Sequence, residues 1–224
     1  MSVHLQRTLD QLKQKVLELG TLAEESLRDA VKALEERNAE LAGRVIDDDA
    51  AIDDMEVDIE EECLKILALY QPVAIDLRFI IAVLKINNDL ERIGDIAVNI
   101  AERAMYLATQ RLVEVNFDFH LMAQKAQNML KKALDALVNV DPALARQVLI
   151  DDDEVDAMNR DVYIQVQKAI RRDIDDLEPL ITLLSISRHL ERVADQATNV
   201  AEDVIYMAQG EIVRHRIEEY TSRP

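Results

Sequence analysis

The sequence predicts an all-α protein made of two tandem three-helix units. Three observations carry this. Apolar residues recur at helical spacing almost throughout the chain. The 224 residues are 49% apolar but include only 4 Gly, 4 Pro and no Trp, which suits long helices joined by few turns. The second half also repeats the first. Leu90-Glu91-Arg92-Ile93-Gly94-Asp95-Ile96-Ala97-Val98-Asn99-Ile100-Ala101-Glu102 returns as Leu190-Glu191-Arg192-Val193-Ala194-Asp195-Gln196-Ala197-Thr198-Asn199-Val200-Ala201-Glu202. A repeat sets the architecture, and this one keeps polar residues in phase as well as apolar ones.

Six helices follow in order, over 3–37, 40–69, 73–109, 118–139, 142–174 and 177–209. Asn38 is placed to cap the second. Gln71-Pro72 separates the second from the third. Asp141-Pro142 joins an N-cap to a proline at the first helical position. Glu178-Pro179 marks the last junction, and Gly210 ends the last helix. Connections this short make neighbouring helices antiparallel. At an offset of 103, Leu27, Ala30, Ala33, Leu34, Leu41, Ala42, Val45, Asp48, Asp49 and Asp53 match Leu130, Ala133, Ala136, Leu137, Leu144, Ala145, Val148, Asp151, Asp152 and Asp156. The offset falls to 100 in the third helix of each half. Residues 1–110 therefore form the first unit and 117–215 the second, divided by the polar stretch 110–116.

Lys and Arg number 26 against 44 Asp and Glu, a net charge of −18. Such a field repels phosphate backbones and excludes nucleic acid as a partner, while favouring metal cations and basic protein surfaces. The one cysteine, Cys63, gives neither a disulfide framework nor a thiolate zinc site. No signal peptide is read at the N-terminus, and no run approaches the length that crosses a bilayer. A soluble cytoplasmic protein is expected.

Helical residues advance by about 100° each. Counted from Glu91, Asp95, Asn99 and Glu102 fall within about 80° of it, opposite Leu90, Ile93, Ala97, Ile100 and Ala104. Glu191, Asp195, Asn199 and Glu202 repeat this against Leu190, Val193, Ala197, Val200 and Val204. The second helix adds Asp49, Asp53, Glu56 and Glu60 on one face. In the other half Asp152 and Asp156 repeat the first two, and Asn159 and Tyr163 replace the rest. Stacked carboxylates repel one another, and a bound cation relieves this. Oxygen-only ligands suit a divalent or trivalent ion: iron, manganese, magnesium, zinc or calcium. The competing reading is a solvated acidic face balanced by Arg92, Arg103 and Arg192.

His4, His120, His189 and His215 form no Glu-x-x-His pair, which argues against a buried di-iron centre. There is no Gly-rich phosphate loop. Ser185 and Ser187 lack a paired base. Met105, Met122, Met129 and Met207 suit a core. Tyr106 and Tyr206 recur in phase as core residues or a docking edge.

At its two Glu-Arg-(Ile/Val)-x-Asp segments the chain resembles the PhoU family of phosphate-signalling proteins. Asp76-Leu77-Arg78 after Pro72, Ile205-Tyr206 and the ending Gly210-Glu211-Ile212-Val213-Arg214-His215 extend the resemblance over essentially the whole chain. It implies two three-helix bundles related by pseudo-twofold symmetry. It implies metal ions, in some members multinuclear iron, at an acidic motif in each repeat: Glu91 and Asp95, then Glu191 and Asp195. It also implies a regulator that represses the phosphate-starvation response, working between the ATPase subunit of the high-affinity phosphate transporter and a sensor histidine kinase. Two departures separate the repeats: Gly94 becomes Ala194, and Arg103 becomes Asp203. The second change is expected to make the second acidic face more negative. The resulting expectation is a non-enzymatic homodimeric regulator, peripheral to membrane partners and metal-binding on exposed acidic faces. Metal storage, metal-dependent catalysis and a purely structural adaptor are the rivals.

Overall fold

Asn38 closes one helical rod and opens the next. Its extended backbone lets the side-chain oxygen accept from Leu41 N–H at 3.0 Å, satisfying a donor that the helix cannot. Helix α1 (Val3–Glu36) ends there and α2 (Ala39–Asp48) begins. A one-residue bend at Asp49 leads into α3 (Ala50–Tyr70), so the expected second helix is one rod in two pieces. The Asp49 carbonyl accepts from both Ile52 N–H (2.8 Å) and Asp53 N–H (3.2 Å), which tightens the turn without leaving the helical region. Helices α4 (Ala74–Thr109), α5 (Phe119–Asn139), α6 (Pro142–Arg172) and α7 (Leu177–Gln209) follow. The computed structural model describes residues 3–113 and 115–213. The expected closing motif therefore runs out at Val213, and Arg214 and His215 lie outside the described residues.

Local chemistry sets the other breaks. The Asp141 side chain accepts from Ala143 N–H and Leu144 N–H, with Pro142 behind it. Gly210, at φ +73°, ends α7 in a left-handed cap. The last junction lies earlier than Glu178-Pro179: α6 stops at Arg172 and a single 3-10 turn spans Ile174–Asp176. Pro179 then sits in the first turn of α7, where its missing N–H costs no helical bond.

The chain is helical throughout its two halves, with no strand among the described residues. Helices α1 to α4 pack together, as do α5 to α7, and α4 and α7 join the halves. The apolar stripes are buried as expected. Leu90, Ile93, Ala97, Ile100 and Ala104 are at most 1% exposed, and Leu190, Val193, Ala197, Val200 and Val204 are fully buried. Ile52, Ile59, Cys63 and Ile66 of α3 are buried, and so are their counterparts Val155, Val162, Val166 and Ala169 of α6. Each large aliphatic side chain contributes about 1.5–3 kcal/mol by leaving water. Met122, Met129 and Met207 are in the core, whereas Met105 is 38% exposed, because it falls on the solvent edge of α4. The stretch after α4 is less polar in space than in sequence: Val113, Val115 and Phe117 pack on Val162, Val166, Ala169 and Leu180.

Candidate metal centres

Two rods supply the acids in each half. In the first, α3 lies along α4 and brings Asp49 and Asp53 towards Glu91 and Asp95. Asp49 stands at the bend between α2 and α3 and makes no side-chain cap hydrogen bond. Gly94 permits the approach. A Cβ there would lie 3.0 Å from Ile52 Cδ1 and 3.1 Å from Asp49 Oδ1. The second half makes the opposite choice at the matching places, both buried: Ala194 carries the methyl, and Val155 lacks the δ-carbon of Ile52.

The acids raise one another's affinity for protons. Burial pushes the Asp49 carboxyl up to about 6, with Asp53 and then Asp95 adding repulsion. Burial takes Asp152 up to about 7, helped by Asp195, Asp156, Asp153 and Glu191. Glu91 is raised by burial, then by Asp95, Asp53 and Glu56. Glu191 is raised by burial, Asp195 and Asp156, and Asp195, although its residue surface is exposed, by partial loss of water around its carboxyl and by Asp156. One oxygen of Asp49 and one of Asp152 are buried with no hydrogen-bond partner. These are the same atom at equivalent places in the two repeats.

This chemistry fits an oxygen-liganded cation: carboxylates alone, mutually repelling, with one unsatisfied buried oxygen per site. Asp49, Asp53, Glu91 and Asp95 would hold it in the first half, and Asp152, Asp156, Glu191 and Asp195 in the second. Among the described residues no three acidic, imidazole or thiolate side chains already stand together as ligands, so the carboxylates would have to draw in around an ion.

Asp95 and Asp195 are exposed, but Glu91, Glu191, Asp49 and Asp152 are half-buried. The acids thus line the seam between helices more than an open face. Asn99 turns along its own helix, donating to Asp95 O at 2.7 Å and accepting from Arg103 at 3.4 Å; Asn199 is half-buried. Glu102 is exposed beside Arg103, 3.6 Å away, and Glu60 is exposed on α3.

Asp203 overturns the expectation of a more negative second face. It is 2% exposed and faces Lys85 of α4 at 3.0 Å, in the seam between the repeats. Arg103, its counterpart, donates to Ser185 at 2.8 Å. His189 is also interior. Burial first, then Arg103, Arg192 and Arg188, hold it neutral, with its pKa down to about 4. Tyr106 donates to Glu178 at 3.1 Å, and Tyr206 lies under Lys85. Burial pushes the Cys63 thiol up to about 12, leaving it inert.

Sequence reasoning missed the residues behind the acids. Asn87, 1% exposed on α4, donates to Glu56 O at 2.9 Å and to Glu56 Oε1 at 3.0 Å. At the equivalent place Ser187 Oγ stands 2.9 Å from Asn159 Oδ1. Positions 87 and 187 are polar in otherwise apolar stripes, and that was the signal.

Comparison with known proteins agrees with the all-helical fold of two tandem repeats. Residues 16–104 and 119–204 each match the PhoU domain. A protein of Aquifex aeolicus named phosphate-specific transport system accessory protein PhoU homolog is 38% identical over 210 residues, covering 94% of this chain and 95% of that one. A Thermotoga maritima protein named PhoU homolog 1 is 37% identical, covering 93% of this chain and 90% of its own. The crystal structure of PhoU from Pseudomonas aeruginosa superposes with a TM-score of 0.88 at 35% identity, over 92% of this chain and 99% of that one. The phosphate transport system regulatory protein PhoU from Streptococcus pneumoniae gives 0.84 at 31% identity, over 93% and 99%.

Proposed function

The chain belongs to the PhoU family, and on that premise we propose that it is an accessory regulator of phosphate transport that restrains the phosphate-starvation response. It is not an enzyme; its relatives are named accessory and regulatory proteins. In this reading it works in the cytoplasm as a homodimer. It links the ATPase subunit of the high-affinity phosphate transporter to a sensor histidine kinase, and it binds metal at the paired acidic seams. No helix of the described residues is long and apolar enough to cross a membrane, so contact with membrane machinery would run through protein partners. The net charge of −18 favours basic partner surfaces and speeds encounter more than it tightens the complex.

The observation that carries the metal part is the unpartnered buried oxygen on both Asp49 and Asp152. A bound ion supplies the positive charge that cancels the repulsion among the carboxylates. Replacing Glu91, Asp95, Glu191 and Asp195 together by alanine should strip metal from the purified protein, read by elemental analysis. Unchanged metal content rejects the site. For the regulatory part, deleting the gene should raise a phosphate-starvation reporter in phosphate-rich medium. Binding to the transporter ATPase subunit should weaken as salt rises. A silent reporter together with no binding at low salt rejects the role.

A further inference from the structure

We propose that the first acidic seam is the tighter cation site of the two, because Asn87 holds Glu56 into it, whereas the second has a neutral asparagine at the place of Glu56 and an arginine next to it. The inference rests on the metal-binding reading above and adds an order between the two sites.

The difference begins behind the acids. Asn87 grips Glu56 twice, through its backbone carbonyl at 2.9 Å and its carboxylate at 3.0 Å. It is 1% exposed and leaves its own Oδ1 buried without a partner, a cost that simple packing would have avoided. The grip fixes a long side chain that would otherwise be free in solvent. Asn87 stands four residues, about one turn, before Glu91 on α4, so the bond holds Glu56 at the seam. In the second half, position 159 is Asn and position 187 is Ser. Ser187 Oγ stands 2.9 Å from both Asn159 Oδ1 and Leu184 O, so its one proton can serve either. No fifth carboxylate is delivered.

The second difference lies on the same turn. Arg160 reaches Asp156 at 3.2 Å, and its counterpart in the first half is Val57. Among the described residues, Asp49, Asp53, Glu56, Glu91 and Asp95 make no ion pair. The first seam thus offers one more carboxylate and fewer competing cations. Ligand charge count and site rigidity set the affinity of oxygen-ligand sites, a basic side chain already paired with a carboxylate competes with the ion, and groups that orient ligands alter affinity by about 10–100-fold.

Two half-site proteins test this. Glu191→Gln with Asp195→Asn leaves only the first seam, and Glu91→Gln with Asp95→Asn leaves only the second. Each is titrated with Mn²⁺, with free ion followed by electron paramagnetic resonance and binding heat by calorimetry. The first-seam protein should bind at least about tenfold more tightly. Glu56→Gln, which keeps an acceptor for Asn87, should bring it down towards the second-seam protein. Asn159→Glu with Arg160→Val should tighten the second seam by a similar factor, and this gain stands even if Glu56→Gln fails to fold. Equal affinities, or no response to these changes, overturn the inference while leaving metal binding intact. Absence of Mn²⁺ binding by both half-site proteins overturns the metal reading and the inference with it.

Discussion

Two of the contacts that join the repeats occupy the same pair of positions but differ in chemistry. In one, Arg103 of α4 donates to Ser185 of α7 at 2.8 Å. In the other, Lys85 of α4 faces Asp203 of α7 at 3.0 Å. Positions 85 and 185 correspond, as do 103 and 203. The twofold relation therefore fixes which positions meet and leaves open what meets there. Arg103 keeps further partners in the Asn99 carbonyl and amide oxygens and is 29% exposed. The Asp203 side chain is 3% exposed, and Lys85 provides the positive charge beside it.

The largest expected effect follows from that contrast. Lys85→Met should destabilise the protein by about 2–3 kcal/mol in urea unfolding, since it removes the cation beside a buried carboxylate. The figure lies below that for a fully buried pair because Lys85 is partly exposed. Adding Asp203→Leu should recover most of the loss, because a well-packed apolar pair serves about as well as a buried ion pair. If Lys85→Met costs no more than removing the Ser185 hydroxyl, the two contacts are equivalent and the contrast fails.

The acidic seams differ next. Asp152 holds its proton up to about pH 7 in the fold and Asp49 up to about 6. Both values lie above the ordinary carboxyl range, so the folded protein binds more protons than the unfolded chain from about pH 4 upwards. Stability of the metal-free protein should therefore fall as pH rises from 4 to 7, the reverse of a salt-bridged acid. Asp152→Asn should stabilise metal-free protein by about 1–2 kcal/mol at pH 8, a figure discounted for partial exposure. It should also flatten the slope, and Asp49→Asn should do the same to a lesser degree. Thermal melts from pH 5 to 8 in chelator decide it; a wild-type melting temperature that rises with pH contradicts the seam electrostatics.

A steric contrast sits beside Asp49. Gly94 meets Ile52, and Ala194 has Val155 at the matching place. Gly94→Ala gains helix propensity of about 1 kcal/mol but overpacks against Ile52 and Asp49, which costs about 1–3 kcal/mol. We expect a net loss of about 1 kcal/mol. Ile52→Val alone should cost about 0.5–1.5 kcal/mol. Together the two changes reproduce the second repeat's choice, and their costs should fall short of the sum by about 1 kcal/mol. Additive costs would show that the missing methyl and the δ-carbon are unrelated.

What the sequence made legible was local or periodic. Asn38, Asp141-Pro142 and Gly210 marked their breaks because capping is a matter of one turn. The buried stripes of α4 and α7 followed from a period of about 3.6 residues. Asp49, Asp53, Glu91 and Asp95 could be grouped because polar residues kept phase between the repeats. Asp203 could not be placed this way. It falls about 120° round the helix from Glu191, on the border between acidic face and core, and its side is decided by Lys85, 118 residues away in sequence. Asn87 was hidden for the same reason: its partner Glu56 lies 31 residues away, on another helix. The Asp49 bend was hidden as well, because Asp152 sits at the matching place inside an unbroken helix.

The smallest effect closes the comparison of the two seam contacts. Ser185→Ala should cost only about 0.5–1 kcal/mol, the net worth of one hydrogen bond. Arg103 Nε loses its acceptor, but the guanidinium keeps the Asn99 carbonyl at 2.7 Å and reaches water through its exposed edge. The side chain removed is a single oxygen, so little packing is lost. His189 provides an internal check, since Arg103 helps to hold it neutral. If Ser185→Ala lets the guanidinium swing outward, the imidazole should titrate closer to its ordinary value, visible by proton NMR. If the imidazole does not move and stability drops by about 0.5–1 kcal/mol, Arg103 is held by α4 itself and Ser185 only completes it. A loss as large as that of Lys85→Met would mean that a neutral hydroxyl and a buried charge carry equal weight across the seam, which the 3% exposure of Asp203 against the 29% of Arg103 argues against.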